Sequence, residues 1–290
     1  MVIPTRNRLR FLRETVPMFL ALKEVTEVVV VVDGCDDGTL EHLRGVTAVD
    51  PRVRYLDNGV NRGLPYSRNK GINAARCALI YLGEDDLVIP DGFFSTLVAH
   101  MEETGADIIA GRNIFSFEHE SYAQAIQRAD ALSGNLVNLR TLQGNWSLGG
   151  ESDSRQIMLP SPMLVRAAVF RDVRYDESFA GNFHREETDF QFSAQEKGYT
   201  LVFCPHAVSL NIEIANDSGG VHAARGIRWV RYCVQNNRRL VRKHRRFLAE
   251  KSRIGNPNLF SIRYAADRML KVVIIPKTIS IKRKLVGPRR

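Results

Sequence analysis

The architecture of this chain follows from EVVVVVDGCDDGT, residues 27–39. Five consecutive valines leave no polar face, so the run reads as a strand covered on both sides, as in parallel sheets. β-Branched side chains suit the pleat and disfavour a helix here. Upstream, Leu9, Leu12, Val16, Phe19 and Leu20 fall at helical spacing within 8–23. Downstream, the pattern predicts a strand over Val53–Leu56 and a helix from Pro65 to about Ala78. A third buried strand, ALIYLG at 78–83, and a helix opened by PDGFFSTLVAHMEETG come next. Alternation of strand and helix over the first 110 residues predicts a doubly wound, Rossmann-like α/β fold: a mostly parallel sheet flanked by helices.

In such sheets ligands bind beyond the carboxyl ends of the strands. Two acidic turns fall there: VVVVVD runs into GCDDGT, and ALIYLG runs into Glu84, Asp85 and Asp86. Adjacent carboxylates repel and are costly to bury without a positive partner. Either water solvates them as an ordinary polar turn, or a divalent cation with a phosphorylated ligand lies among them. Further along, 112–155 reads as loop or lid, a helix spans about Glu187 to Lys197, and TLVFCP at 200–205 is another strand.

The chain's 290 residues, 44% of them hydrophobic, suffice for one large domain with an appended segment. No apolar stretch is long enough to span a bilayer, and MVIPTRNR is not a secretory signal. It reads as a strand that starts without its first residues. Cys35, Cys77, Cys204 and Cys233 form no CxxC pair, so zinc and disulfide frameworks are weak readings and a reducing cytoplasm is the default. Charge divides the chain. Residues 225–290 hold 20 of the 41 Lys and Arg against Glu250 and Asp267 alone, a balance of +18 that leaves 1–224 at −9. We therefore expect a body over 1–220 followed by a basic helical segment over 221–290.

IPTRNR at 3–8, VVVDGCDDGT at 30–39, NRGLPYSRNKGINAA at 61–75, GEDD at 83–86 and REETDFQFSAQEKGY closing at 199 stand in this order. The set resembles the family 2 glycosyltransferases of the GT-A fold, over about residues 1–215, which implies that 1–220 is the catalytic domain, with nucleotide-sugar binding in about 1–110 and the acceptor side in about 111–220. The resemblance implies transfer of a sugar from a UDP-, GDP- or dTDP-sugar to a glycan or glycolipid acceptor, with inversion and with Mg²⁺ or Mn²⁺. Pro4, Thr5, Arg8, Asp33, Arg68 and Asp85 then contact the nucleotide-sugar. Asp33 would accept from a pyrimidine ring N–H, and Arg68 would face the nucleotide. Asp86 matches the ligand of the family's acidic metal motif, with Glu84 in its first slot and His222 as a further candidate. Many relatives carry a histidine where this chain has Asn211. Glu187 takes the general-base position, with Asp189 as a supporting or acceptor-binding residue; the competing reading is that these acids only favour a helix N-terminus. Gly71 would let its helix pack closely on the sheet.

RGIRW at 225–229 lacks the glutamine of the processive members' QxxRW, and with no membrane spans the enzyme reads as non-processive. In the tail, apolar residues at 227, 230, 234, 241 and 248 predict one amphipathic helix with a cationic face. It suits an anionic membrane surface, or packing on the body or on a second subunit of a homodimer. No nucleic acid is expected: Trp229, Tyr232 and Tyr264 make no stacking platform. A sugar-phosphate nucleotidyltransferase would need a glycine-rich, lysine-bearing loop after the first strand, and a dehydrogenase a GxGxxG; neither is present. A non-catalytic nucleotide-sugar-binding or scaffold protein of the same fold stays open, because glutamate stands for aspartate at 84 and 187.

Overall fold

The computed structural model describes residues 1–117, 120–212 and 226–270. In chain order the first half is β1 (Val2–Thr5), α1 (Leu9–Ala21), β2 (Val28–Val32), α2 (Thr39–Val49), β3 (Val53–Asp57), α3 (Leu64–Ala74), β4 (Leu79–Leu82), β5 (Leu87–Val88), α4 (Phe93–Thr104) and β6 (Ile108–Ser116). Next come α5 (Tyr122–Asp130), β7 (Val137–Asn138), β8 (Gln143–Gly144), β9 (Ser154–Arg155), β10 (Met163–Arg166) and a 3₁₀ turn over Ala167–Arg171. The chain continues through α6 (Glu186–Glu196), β11 (Leu201–Ile212), α7 (Gly226–Lys243), α8 (Arg245–Lys251) and α9 (Pro257–Met269).

The main sheet has the order β3-β2-β1-β4-β10-β6-β11-β5, with β9 also paired to β11. β1 to β4 are mutually parallel, and β11 is parallel to β6. β10 is antiparallel to both β4 and β6, so it joins the two parallel groups without reversing their common direction. All five valines of β2 are buried, each worth on the order of 1.5–3 kcal/mol relative to exposure. Their alternation feeds two cores. Val28, Val30 and Val32 pack with Leu12 and Phe19 of α1 and Leu97 of α4. Val29 and Val31 pack on the other face with Ile72 of α3 and Phe190 of α6. Gly71 sits where α3 crosses the sheet: a Cβ there would lie 2.4 Å from Val2 Cγ1 and 3.0 Å from Val31 Cγ2. Only glycine permits that approach.

Three expectations differ from what is found. The 112–155 region contains the second half of β6, the hairpin β7–β8, and α5, whose N-terminus is a capping box between Ser121 and Gln124. Only Ala125 and Ala129 of α5 are buried, too small an apolar face to read by periodicity. The strand expected to stop at Pro205 continues to Ile212, because the proline falls at an irregularity between Cys204 and Val208 where the register with β6 shifts. The single basic helix is two, α7 and α8, broken at His244, and α9 follows. Ile227, expected on the buried face, is 66% exposed, while Asn236 and Asn237 are buried beside Leu240. Among the described residues no helix is long and apolar enough to cross a membrane.

Candidate active site

Because β1, β2 and β4 are parallel, the residues that follow them emerge at one edge of the sheet: Thr5, Asp33, and the turn Glu84-Asp85-Asp86. They border a cleft of about 750 Å³ that Pro4, Arg8 and Arg68 also line. The positive partner of the acidic turn comes from the chain itself. Arg8 Nε lies 2.9 Å from Asp85 Oδ1, and its Nη2 lies 2.5 Å from Asp86 Oδ2. Thr5 Oγ1 donates to Asp85 Oδ2 at 2.7 Å. From β11, Asn211 Nδ2 donates to Glu84 Oε2 and Asp86 Oδ1, both at 3.2 Å. The asparagine in the slot where many relatives carry a histidine thus reaches both outer acids of the turn. His222, the other metal candidate, lies outside the described residues.

Arg8, with Arg68 at 3.9 Å from Glu84 and itself paired to Glu186, does not balance three carboxylates. Burial pushes Glu84 up to about 7, reinforced by the neighbouring Asp86 charge and opposed by Arg68. Burial likewise raises Asp85 to about 7, against the pull of Arg8. This surplus of hard oxygen donors suits Mg²⁺ or Mn²⁺. Glu84, Asp86 and, with its amide turned, the Asn211 oxygen are the atoms that could hold such an ion.

Asp33 is held from the loop opposite. Its Oδ1 accepts from Asn58 Nδ2 at 2.9 Å and from the Arg62 backbone N–H at 2.7 Å, and its Oδ2 accepts from the Gly63 N–H at 2.9 Å. A carboxylate has about four lone-pair sites, so one on Oδ2 remains for a ligand. Gly34, just after it, passes so near residues 60 and 61 that a Cβ would meet Asn61 N at 2.5 Å. Arg68, on α3, is 1% exposed. It donates from Nη1 to Glu186 Oε1 at 2.6 Å and from Nη2 to Ser161 Oγ at 2.7 Å, and its Nη2 stands 3.9 Å from Glu84 Oε1. Burial raises Glu186 to about 8 although Arg68 opposes it, and the carboxylates around Arg68 outweigh burial to hold the guanidinium above its ordinary range.

The first turn of α6 separates three acids that look alike in sequence. Glu186 is buried against Arg68. Glu187 is half-buried and has no hydrogen bond or ion pair among the described residues, while its charge is felt by Arg68 and Glu84. Asp189 is fully buried on the far side, 2.8 Å from Lys243 Nζ and 3.0 Å from His244 Nε2. Asp189, expected as a supporting or acceptor-binding residue, has no exposed side-chain surface here and ties α6 to the C-terminal helices. Sequence reasoning missed Glu186 and Ser161. A buried arginine demands an anionic partner, and the pair Glu186-Glu187 was the signal available for one.

The profile of the family described as Glycosyl transferase family 2 matches residues 1–173. Glycosyltransferase GlyG of Streptococcus pneumoniae serotype 4 is 24% identical over 197 residues, 66% of this chain and 63% of that protein. Succinoglycan biosynthesis protein ExoA of Rhizobium meliloti is 28% identical over 179 residues, 60% of this chain and 50% of that protein. The chain therefore spans less than two thirds of either relative. Among solved structures, S. aureus TarS in complex with UDP-GlcNAc superposes with a TM-score of 0.60 at 13% identity, covering 93% of this chain and 72% of that one. Mannosyltransferase PcManGT from Pyrobaculum calidifontis, in complex with GDP-Man and Mn²⁺, gives 0.59 at 14% identity, covering 97% and 79%. Likeness at these identities bears on the fold alone.

Proposed function

The chain belongs to glycosyl transferase family 2, and from that premise we propose that it moves a sugar from a nucleotide-diphosphate sugar to a hydroxyl of a glycan or lipid-linked glycan, non-processively, with inversion, and with Mg²⁺ or Mn²⁺. One observation carries the reading: the acidic turn, Asp33 and Arg68 line one cleft at the strand ends, and the charge of Glu187, which has no hydrogen bond or ion pair among the described residues, is felt there by Arg68 and Glu84. The solved neighbours bound to UDP-GlcNAc and GDP-Man support the same class of donor.

Asp33 orients the base through its remaining lone pair, with Pro4 and Thr5 forming the adjoining wall. Arg68 presents positive charge to the phosphates, and Arg8 and Asp85 order the turn on the ribose side. Asp86 and Glu84, with Asn211, would hold the divalent ion, which supplies charge neutralisation of the leaving diphosphate. Glu187 is the general base. The acceptor oxygen bonds to the anomeric carbon, the bond from that carbon to the diphosphate oxygen breaks, and the hydroxyl proton passes to Glu187. Reaction centre and nucleotide site fall within 1–220.

The segment from 221 serves docking. A groove of about 800 Å³ carries Arg231, Arg238 and Arg242 beside exposed Ile227, a chemistry that suits the anionic inner face of a membrane and a cytoplasmic enzyme acting there. The test is a donor screen reading release of nucleotide diphosphate with and without Mn²⁺. Asp86→Ala should lose most donor binding, whereas Glu187→Gln should bind donor normally and transfer none. Transfer by Glu187→Gln at the normal rate would remove the base assignment. Donor binding with no release under any acceptor would favour a binding protein instead.

A further inference from the structure

A second cluster of ligating side chains lies away from the cleft, where α4, the segment leading into β9, and β11 meet. His100 Nδ1 stands 2.6 Å from Asp153 Oδ2. One donor atom each from His100, Asp153 and Cys204 lie within 4.8 Å of one another. The imidazole of His206 stacks on that of His100, ring centroids 5.2 Å apart. We propose that His100, Asp153 and Cys204 supply the protein ligands of a four-coordinate Zn²⁺ site that fastens α4 and β9 to β11.

Three features favour a cation over a chance cluster. First, Asp153 Oδ1 is buried without a hydrogen-bond partner, an arrangement that costs stability unless something positive arrives. Second, the three side chains come from α4, the approach to β9 and β11, so a single ion would tie three separate elements together. Third, the donor set mixes thiolate, imidazole and carboxylate, which zinc accepts together in four-coordinate geometry and Mg²⁺ does not favour.

Zinc is bound by the thiolate, so its entry sends the Cys204 thiol proton to solvent, while the His100 Nδ1 proton gives way to the metal and the ring takes up the Nε2–H tautomer. Affinity should climb with pH accordingly. The ion is distinct from one in the cleft. Cys204 and Asn211 pair with Gly111 and Phe115 of β6, four residues apart, roughly 13 Å at strand rise.

The test uses the full-length chain, reduced, stripped with chelator and titrated with Co²⁺. One Co²⁺ per chain with a thiolate-to-cobalt charge-transfer band in the near ultraviolet is the expected result. Cys204→Ser should abolish that band, and His100→Ala and Asp153→Asn should each weaken binding at least about tenfold. Asp86→Ala, in the other site, should leave the spectrum unchanged. Zn²⁺ should displace the cobalt and raise the melting temperature of the wild type but not of Cys204→Ser, with circular dichroism confirming that each variant is folded. Lack of the band in the wild type, or its survival in Cys204→Ser, overturns the proposal.

Discussion

Arg8 and the acids it holds show what single residues contribute to the cleft. Its guanidinium pairs with both Asp85 and Asp86, and all three side chains are largely buried. Arg8→Ala would leave buried carboxylates uncompensated, at a cost of about 3–5 kcal/mol. Thermal melting should register it, and Asp85→Asn in the same chain should recover part of the loss. Protons compete at this site as well. Glu84, one of the groups that would hold the ion, is held up to about 7 by burial, and a cation binds only its ionised form. Mn²⁺ affinity should therefore fall as pH drops below about 7, and a calorimetric titration that is flat between pH 6 and 8 would contradict the assignment. The acids at 84–86 were legible in the sequence because their charge is. Which of Glu186, Glu187 and Asp189 pairs with Arg68, and which with the C-terminal helices, was not. That depends on the phase of α6, set by Arg185 entering the helix in the left-handed region at φ 76°, and no local pattern announces it.

At the level of elements, strands buried on both faces were the most readable. Five valines can do little else, and β2 lies where the run predicts. Gly71 was equally readable, since its helix crosses β1 and β2. Gly71→Ala should overpack that crossing and cost about 1–3 kcal/mol, visible as a lower denaturant midpoint with an unchanged slope. The less readable elements had signals pointing two ways. Pro205 ordinarily ends a strand, yet in β11 it marks the register shift that aligns Asn211 with the acidic turn. In α5 the Ser121 cap was written in the sequence, but two buried alanines gave periodicity nothing to detect.

For the molecule as a whole, the split between an acidic body and a basic tail was plain from charge, but not where the tail rests. Val137, Phe179 and Phe192 share one buried cluster with Leu240, Phe247, Leu248 and Phe260. Contacts across such separations leave no trace in local sequence. A chain ended at residue 225 should expose Phe179 and Phe192, bind the hydrophobic dye ANS and precipitate on mild heating; if it melts like the full chain, the cluster is dispensable. Asp189 carries a further consequence. It lies two residues from Glu187, yet its partners Lys243 and His244 are supplied from more than fifty positions downstream. Under the roles proposed for Glu187 and the C-terminal helices, a helix that selection reshapes for adhesion to a new surface drags on the alignment of the proton acceptor, so address and turnover would not drift apart independently in descendants of this chain.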